Sequence, residues 1–388
     1  MKHSGPVHSL SGDAERKTRL LGLIHAFGAR RVLVVGDLIA DEFIYGEVAR
    51  VSREAPVLIL RYDATEVVPG GAGNAANIVA ALGARALVAG MVGADHEGRR
   101  LLSAFPKLVD TRQIVRARRY RTPVKTRILA GGIHSAKQQV VRIDRETDWP
   151  LPEAVSRTFA SKLTRALADC DAVLLSDYGS GLVTPELAAS IRALISKRTP
   201  KRAIPIVVDS RYRLLDFKGL TACTPNESEV ERALDIHIDD DLDALERAGR
   251  TLLRRTGMQA VLVTRGSRGM ALFESKQPTV HVPIFGSDEV ADVTGAGDTV
   301  IATMATALAA GASFLEAASL ANYAGGLAVM KRGTATVSAR ELASAVEQEH
   351  DLSSSPGHRS DRARGVSRRT LMVNAVRQAG RSDGFRRI

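Results

Sequence analysis

Cysteine is nearly absent: Cys170 and Cys223 stand far apart in 388 residues, without a CxxC pair. That excludes a disulfide framework and a thiolate metal centre and leaves two reduced thiols of the kind found in cores. Aromatic residues make up only 4% of the chain, too few to interleave a basic surface with the stacking rings that nucleic-acid binding uses. No apolar run approaches the roughly 18 to 20 residues of a membrane span. The first segment, from Met1 to Arg19, carries charges without the apolar core of a signal peptide. A cytoplasmic protein with neither a membrane nor a nucleic-acid partner is the expectation. The nine histidines show no HxxxH spacing, and the run Asp239, Asp240, Asp241, Asp243 lacks the convergent ligands of a metal site; it reads as a solvated helix start.

What is present is globular composition, 45% hydrophobic and 25% charged, in a chain long enough for one large α/β domain or two ordinary ones. The formal charge of +11 owes much to the arginines between His358 and Ile388. From Glu347 onward Ser, Gly, Arg and Asp dominate, the composition of a disordered basic tail. Residues 1–30 read as an N-terminal extension, 31–345 as the main domain and 346–388 as the tail.

Within the main domain, strand signals alternate with helical ones, as in a mainly parallel sheet covered by helices. The strands are expected at Arg31–Gly36, Ala86–Gly90, Ala172–Ser176, Ile204–Val208 and Ala260–Thr264. The helices are expected at Ala72–Leu82, His96–Phe105, Pro152–Ala168, Thr184–Lys197, Asp241–Thr256, Thr294–Ala310 and Phe314–Lys331. Two stretches break the rhythm, Glu42–Asp63 and Tyr120–Asp144, where polar and apolar residues alternate. They predict a small antiparallel sheet that projects from the core as a lid, spanning about residues 41–65 and 117–145.

The chemistry concentrates in Ala291-Asp-Val-Thr-Gly-Ala-Gly-Asp298, which runs straight into an apolar helix. Its glycines leave the amides of Gly295, Ala296 and Gly297 uncovered at a positive helix end, an anion cradle. Asp298 has no place in a pure phosphate loop, so its expected task is to take a proton from an incoming hydroxyl. No GxxxxGK[ST] is present. Gly71-Ala-Gly-Asn-Ala-Ala76 fits a loose dinucleotide fingerprint with Asp95 further on, but Pro69 and the lid precede it instead of a buried strand. The segment Val263-Thr-Arg-Gly-Ser-Arg-Gly-Met270 joins two strands and supplies backbone donors at Gly266 and Gly269; with the Asp298 loop it forms a candidate triphosphate site.

Gly36-Asp37, Gly70-Gly-Ala-Gly-Asn74, Thr224-Pro-Asn-Glu-Ser-Glu229, Thr264-Arg-Gly266 and Asp292-Val-Thr-Gly-Ala-Gly-Asp298 occur in the order found in the ribokinase (PfkB) family of sugar kinases, which the chain resembles over about residues 31–340. Val51–Val57, Gln139–Glu146 and Ser176–Gly181 are most similar to the family branch whose kinase domain acts on heptose 7-phosphate. The resemblance implies a three-layer α/β/α core with a β lid, ATP and Mg2+ as cofactors, and phosphorylation of a sugar phosphate to the 1,7-bisphosphate used for ADP-heptose. It makes Asp298 the base and Gly295, Ala296 and Gly297 the anion hole. Asp37, Asp41, Gly71 and Asn74 become sugar contacts, with Lys125, Arg127 and Arg142 as candidates for the sugar's phosphate, a solvated strand face being the alternative. Asn226, Thr264, Gly266, Gly269 and Asn322 become nucleotide contacts, and Asn226 and Glu229 metal-site residues; both also suit a helix cap. A small-molecule partner is implied, and a homodimer stays open. Two positions depart from the family: Ser180 replaces a lysine in Asp177-Tyr-Gly-Ser-Gly181, and Asp209-Ser-Arg211 replaces DPK. The GxFDxxHxGH signature of adenylyl transfer does not occur in the chain, so that activity is not expected of it.

Overall fold

The computed structural model describes residues 8–131, 137–147, 153–198, 202–286, 294–331 and 335–354. The expected contributions of Ala291, Asp292 and Val293 to the anion loop, and the tail beyond Ser354, lie outside them. The helices are α1 (His8–Ala26), α2 (Ala72–Ala81), α3 (His96–Ser103), α4 (Glu153–Ala166), α5 (Pro185–Arg198), α6 (Glu227–Leu234), α7 (Leu242–Thr256), α8 (Ala296–Ala309), α9 (Phe314–Val329) and α10 (Ala339–Ser354). The strands are β1 (Arg31–Gly36), β2 (Leu38–Val51), β3 (Leu58–Gly71), β4 (Arg85–Ala89), β5 (Met91–Gly93), β6 (Val109–Asp110), β7 (Val115–Ala117), β8 (Val124–Gly131), β9 (Gln138–Arg145), β10 (Ala172–Asp177), β11 (Ile206–Ser210), β12 (Ala222–Cys223), β13 (Ala260–Thr264), β14 (Met270–Glu274) and β15 (Val280–Val282).

Nine strands form the main sheet in the order β15-β14-β13-β12-β11-β10-β1-β4-β6. Every pairing from β6 to β13 is parallel; the β13–β14 and β14–β15 pairings are antiparallel, so β14 alone runs against the other strands. Both faces are covered, which is why β1 is apolar without alternation: Val32 and Val34 enter one core with α1, α2, α8, α9 and α10, while Leu33 and Val35 enter the other with α4, α5 and α7. The result is the expected α/β/α architecture. The chain leaves β1 toward β4 on one side and is flanked by β10 on the other, a switch point whose carboxyl edge is where such sheets take ligands.

The lid is a four-stranded sheet in the order β3-β2-β8-β9. Its two hairpins, β2–β3 and β8–β9, are antiparallel as expected, but the seam joining them, β2–β8, is parallel. Alternation reports which face a residue takes, not which way its strand runs. β2 continues from β1 and β8 enters from β7, so both leave the core in one direction. Asp95 fixes that entry by accepting hydrogen bonds from the Thr122 amide at 2.8 Å, the Thr122 hydroxyl at 2.7 Å and the Gly98 amide at 2.8 Å. On the lid's outer face Glu42 pairs with Arg100 of α3 at 2.9 Å and accepts the Thr126 hydroxyl at 2.8 Å.

Two boundaries differ from the compositional reading. Residues 1–30, expected as an extension, supply α1, whose Leu20, Leu23 and Ile24 are buried in the same core as Val337, Leu342 and Val346. α10 continues to Ser354, past the Glu347 at which a linker is expected. In α1, burial of one helical stripe outweighs a polar average.

Candidate active site

The carboxyl ends of β1, β10, β11, β12 and β13 lie side by side, so Asp37, Tyr178, Asp209, Arg211, Asn226 and Thr264 line one edge of the sheet. The register sets this up: Gly36 pairs with Ser176, and Ser176 with Asp209. An isolated bridge joins Asn226 to Thr264. α8 brings Asp298 to the same edge. Gly295 caps that helix with φ +79°, a left-handed turn that glycine adopts at no steric cost. The first-turn amides of Ala296 and Gly297 point out of the helix start, and a Cβ at Gly297 would meet open space.

Asp298 is buried and held from two sides. Asn74 Nδ2 donates to its Oδ2 at 2.7 Å, and the Tyr178 hydroxyl to its Oδ1 at 2.9 Å. Burial lifts its pKa from 3.8 to about 6, against the two donors and with help from the Asp41 charge. Such a carboxylate is ionised at neutral pH yet basic enough to take a proton. Asn74 owes its position to Gly71, which starts α2 at φ +57°; a Cβ there would come within 2.5 Å of the Asp37 carbonyl.

Asp37 is equally buried. Its Oδ2 accepts the amides of Tyr178 at 2.9 Å and Ser180 at 3.1 Å, while Oδ1 has no partner among the described residues. Burial lifts this carboxyl to about 6 as well, against the backbone donors and with a contribution from Asp177. A buried, unpartnered carboxylate oxygen is costly unless a ligand satisfies it, which fits the expected hydroxyl contact.

The lid residues divide. Lys125 Nζ lies 5.2 Å from the centre of the Tyr178 ring, and burial followed by the Arg211 charge pulls its pKa down. Arg127, by contrast, is committed to Asp41 at 2.6 Å and covers the Phe43 ring. Those two expected ligand contacts are thus spent on each other. Arg142 forms a two-bonded pair with Asp144, at 2.9 and 3.0 Å, in the exposed strand β9.

Beyond Asp298 a groove of about 470 Å3 is lined by Arg211, Asn226, Glu229, Arg232, Thr264 and Gly266, among others. Asn226 and Glu229 form a reciprocal cap at the start of α6, each side chain bonding the other's amide at 2.9 Å. Burial raises Glu229, and burial with the Glu229 charge raises Asp209 well above the carboxylate range. Gly269 closes the β13–β14 turn against Val282 and is not part of the groove lining. Asn322 on α9 donates its amide to the Pro283 carbonyl at 2.9 Å, fixing the chain that leaves β15.

Three residues of this site escape the sequence reading: Tyr178, Arg211 and Asp209. Tyr178 sits inside a noted motif, and Arg211 and Asp209 inside a noted departure, but only the adjacency of β10 and β11 brings them to Asp298.

A buried base at a glycine-opened helix start, on the same carboxyl edge of a doubly covered sheet as a groove of nucleotide size, defines a phosphotransferase for small hydroxyl compounds. The chain belongs to the pfkB family of carbohydrate kinases, whose model matches residues 29–341, and is a sugar kinase. It is 41% identical over 322 residues to the bifunctional protein HldE of Trichlorobacter lovleyi, covering 82% of this chain and 63% of that protein. HldE of Geobacter sulfurreducens is 41% identical over 338 residues, 87% of this chain and 66% of that one. This chain therefore spans about two thirds of the length of these relatives. The fold is shared with Arabidopsis thaliana ribokinase, solved with ribose and ATP, at a TM-score of 0.64 and 19% identity over 82% of this chain and 99% of the other.

Proposed function

We propose that this chain transfers the terminal phosphoryl group of ATP to the anomeric hydroxyl of a heptose 7-phosphate, giving the 1,7-bisphosphate. The observation that carries the transfer is Asp298 itself, a desolvated carboxylate gripped by Asn74 and Tyr178 at the start of α8. The acceptor's hydroxyl gives its proton to Asp298, the Gly295–Gly297 amides receive the growing charge, and the unpartnered Oδ1 of Asp37 accepts a second sugar hydroxyl. The heptose phosphate reading is supported by the HldE relatives and by Lys125, a half-buried cation in no ion pair among the described residues, at the acceptor side.

Among the described residues no three acidic, histidine or cysteine side chains form a protein cage for a metal. Mg2+ needs none, because it keeps waters and takes phosphate oxygens with one or two carboxylates. Glu229, with the side-chain oxygen of Asn226 beside it in the groove, supplies hard oxygen donors that fit that role. Bound there, Mg2+ would neutralise phosphate charge.

An acceptor panel of heptose 7-phosphate, other sugar phosphates, free sugars and nucleosides, assayed for ADP release, tests the reading. Preference for heptose 7-phosphate supports it. A clear preference for an unphosphorylated sugar would reject the heptose assignment and keep the kinase, and ATP binding without turnover on any member would reject both.

A further inference from the structure

Arg211 lies where the two halves of the site meet. It follows β11 and lines the groove with Asn226, Glu229 and Thr264, while its guanidinium carbon stands 4.6 Å from the centre of the Tyr178 ring. That ring's hydroxyl is the one that holds Asp298. The two other cations of the groove are occupied. Arg265 pairs with Glu227 at 2.6 Å, and Arg232 donates to the Arg211 carbonyl at 3.1 Å and lies over Tyr212. Arg211 makes no ion pair within 4.0 Å among the described residues, although the charges of Asp298, Asp209 and Glu229 all feel it. A cation resting on a ring, at the rim of the groove and beside the ring that holds the base, can be drawn to a phosphate without first breaking a salt bridge.

We propose that Arg211 is a catalytic residue that contacts the phosphoryl group in transit between the groove and Asp298. As the acceptor oxygen bonds to phosphorus, the bond from phosphorus to the bridging oxygen of the nucleotide breaks and its electron pair leaves with the nucleoside diphosphate. The acceptor's proton passes to Asp298. The planar fork of Arg211 gives two N–H donors to the equatorial oxygens, on which charge is spread in a loose transition state. The proposal rests on the kinase reading above and adds a residue that departs from the family pattern.

The test uses the full chain with Arg211→Gln and Arg211→Lys. Binding of ADP and of a non-hydrolysable ATP analogue, each with Mg2+, is measured by calorimetry, and turnover is measured with the best acceptor of the panel. Arg211→Gln should bind ADP within about twofold of wild type, lose about tenfold on the triphosphate analogue, and lose roughly a thousandfold in kcat with little change in acceptor KM. Arg211→Lys should recover part of both losses, because it keeps the charge and loses the fork; should the Gln variant fail to fold, its intermediate losses carry the comparison. A raised acceptor KM with kcat intact would move Arg211 onto the acceptor and overturn the proposal, as would equal weakening of both nucleotides. Failure of every acceptor in wild type would sink the kinase reading, whereas the ADP-to-triphosphate comparison judges Arg211 without any acceptor.

Discussion

Two buried carboxylates, Asp37 and Asp298, each accept a hydrogen bond from Tyr178, one from its amide and one from its hydroxyl, and each is lifted from 3.8 to about 6. At about 1.4 kcal/mol per tenfold in acidity, the ionised form of each costs the fold about 3 kcal/mol. For a base this cost has a use. Asp298 must be ionised to accept a proton, so kcat/KM should fall as pH drops through about 6. Asp298→Asn should lower turnover by roughly a hundredfold or more and leave ATP binding nearly unchanged; near-normal turnover would remove Asp298 from the mechanism. The Tyr178 hydroxyl favours the charged form, so Tyr178→Phe should move the acid limb upward, which a pH–rate profile reads directly. Asp37 gives the complementary case in stability. Its folded pKa is raised, so the protonated form is favoured in the native state: the contribution is fully present below 3.8 and lost as pH rises through about 6. Asp37→Asn should therefore match wild type near pH 4 and become more stable by about 1 to 3 kcal/mol above pH 6, while acceptor binding weakens. Denaturant titrations at the two pH values decide this, and a wild type that stays the more stable above pH 6 would contradict it.

At the scale of elements, the glycines carry more than flexibility. Gly71 takes φ +57° and ψ −130°, a region nearly closed to other residues, with the Asp37 carbonyl where a Cβ would stand. Gly71→Ala should cost roughly 1 to 3 kcal/mol of strain and, because α2 carries Asn74, should also lower kcat. A stable variant with full activity would show that the turn does not set the base. The helix starts were legible in the sequence, because glycine, asparagine and glutamate announce a turn or a cap: Gly70–Asn74, Asn226–Glu229 and Gly295–Asp298 open α2, α6 and α8. The lid was legible only as a pair of alternating stretches. Its parallel β2–β8 seam depends on where two distant strands leave the core, which no local pattern records. The Arg127–Asp41 pair is a similar case: the sequence offers Arg127 as a phosphate contact or part of a solvated strand face, and only the strand register places Asp41 close enough to pair with it. Tyr178 and Arg211 were hidden for the same reason, since their neighbours come from strands more than thirty positions apart.

For the molecule as a whole, compositional reading drew the edges of the domain too narrowly. Alternation of strands and helices identified the doubly covered sheet, but α1 has a polar average and was set outside it. Its Leu20, Leu23 and Ile24 are 0%, 1% and 5% exposed, against the core that also takes α10. Burying three such side chains stabilises by about 5 to 9 kcal/mol at roughly 1.5 to 3 kcal/mol each, a large part of the 5 to 15 kcal/mol typical of a whole domain. A chain beginning at Phe27 should consequently be insoluble or lose its cooperative thermal transition, although every active-site residue is retained. The surface contacts of the same helix predict much less. Arg19 pairs with Glu316 at 2.9 Å with its own side chain half exposed, and Arg19→Ala should cost under about 1 kcal/mol. Measuring both separates the causes: a truncated chain that melts like wild type would show that α1 only decorates the fold, and an Arg19→Ala loss as large as the truncation would assign its hold to charge instead of burial.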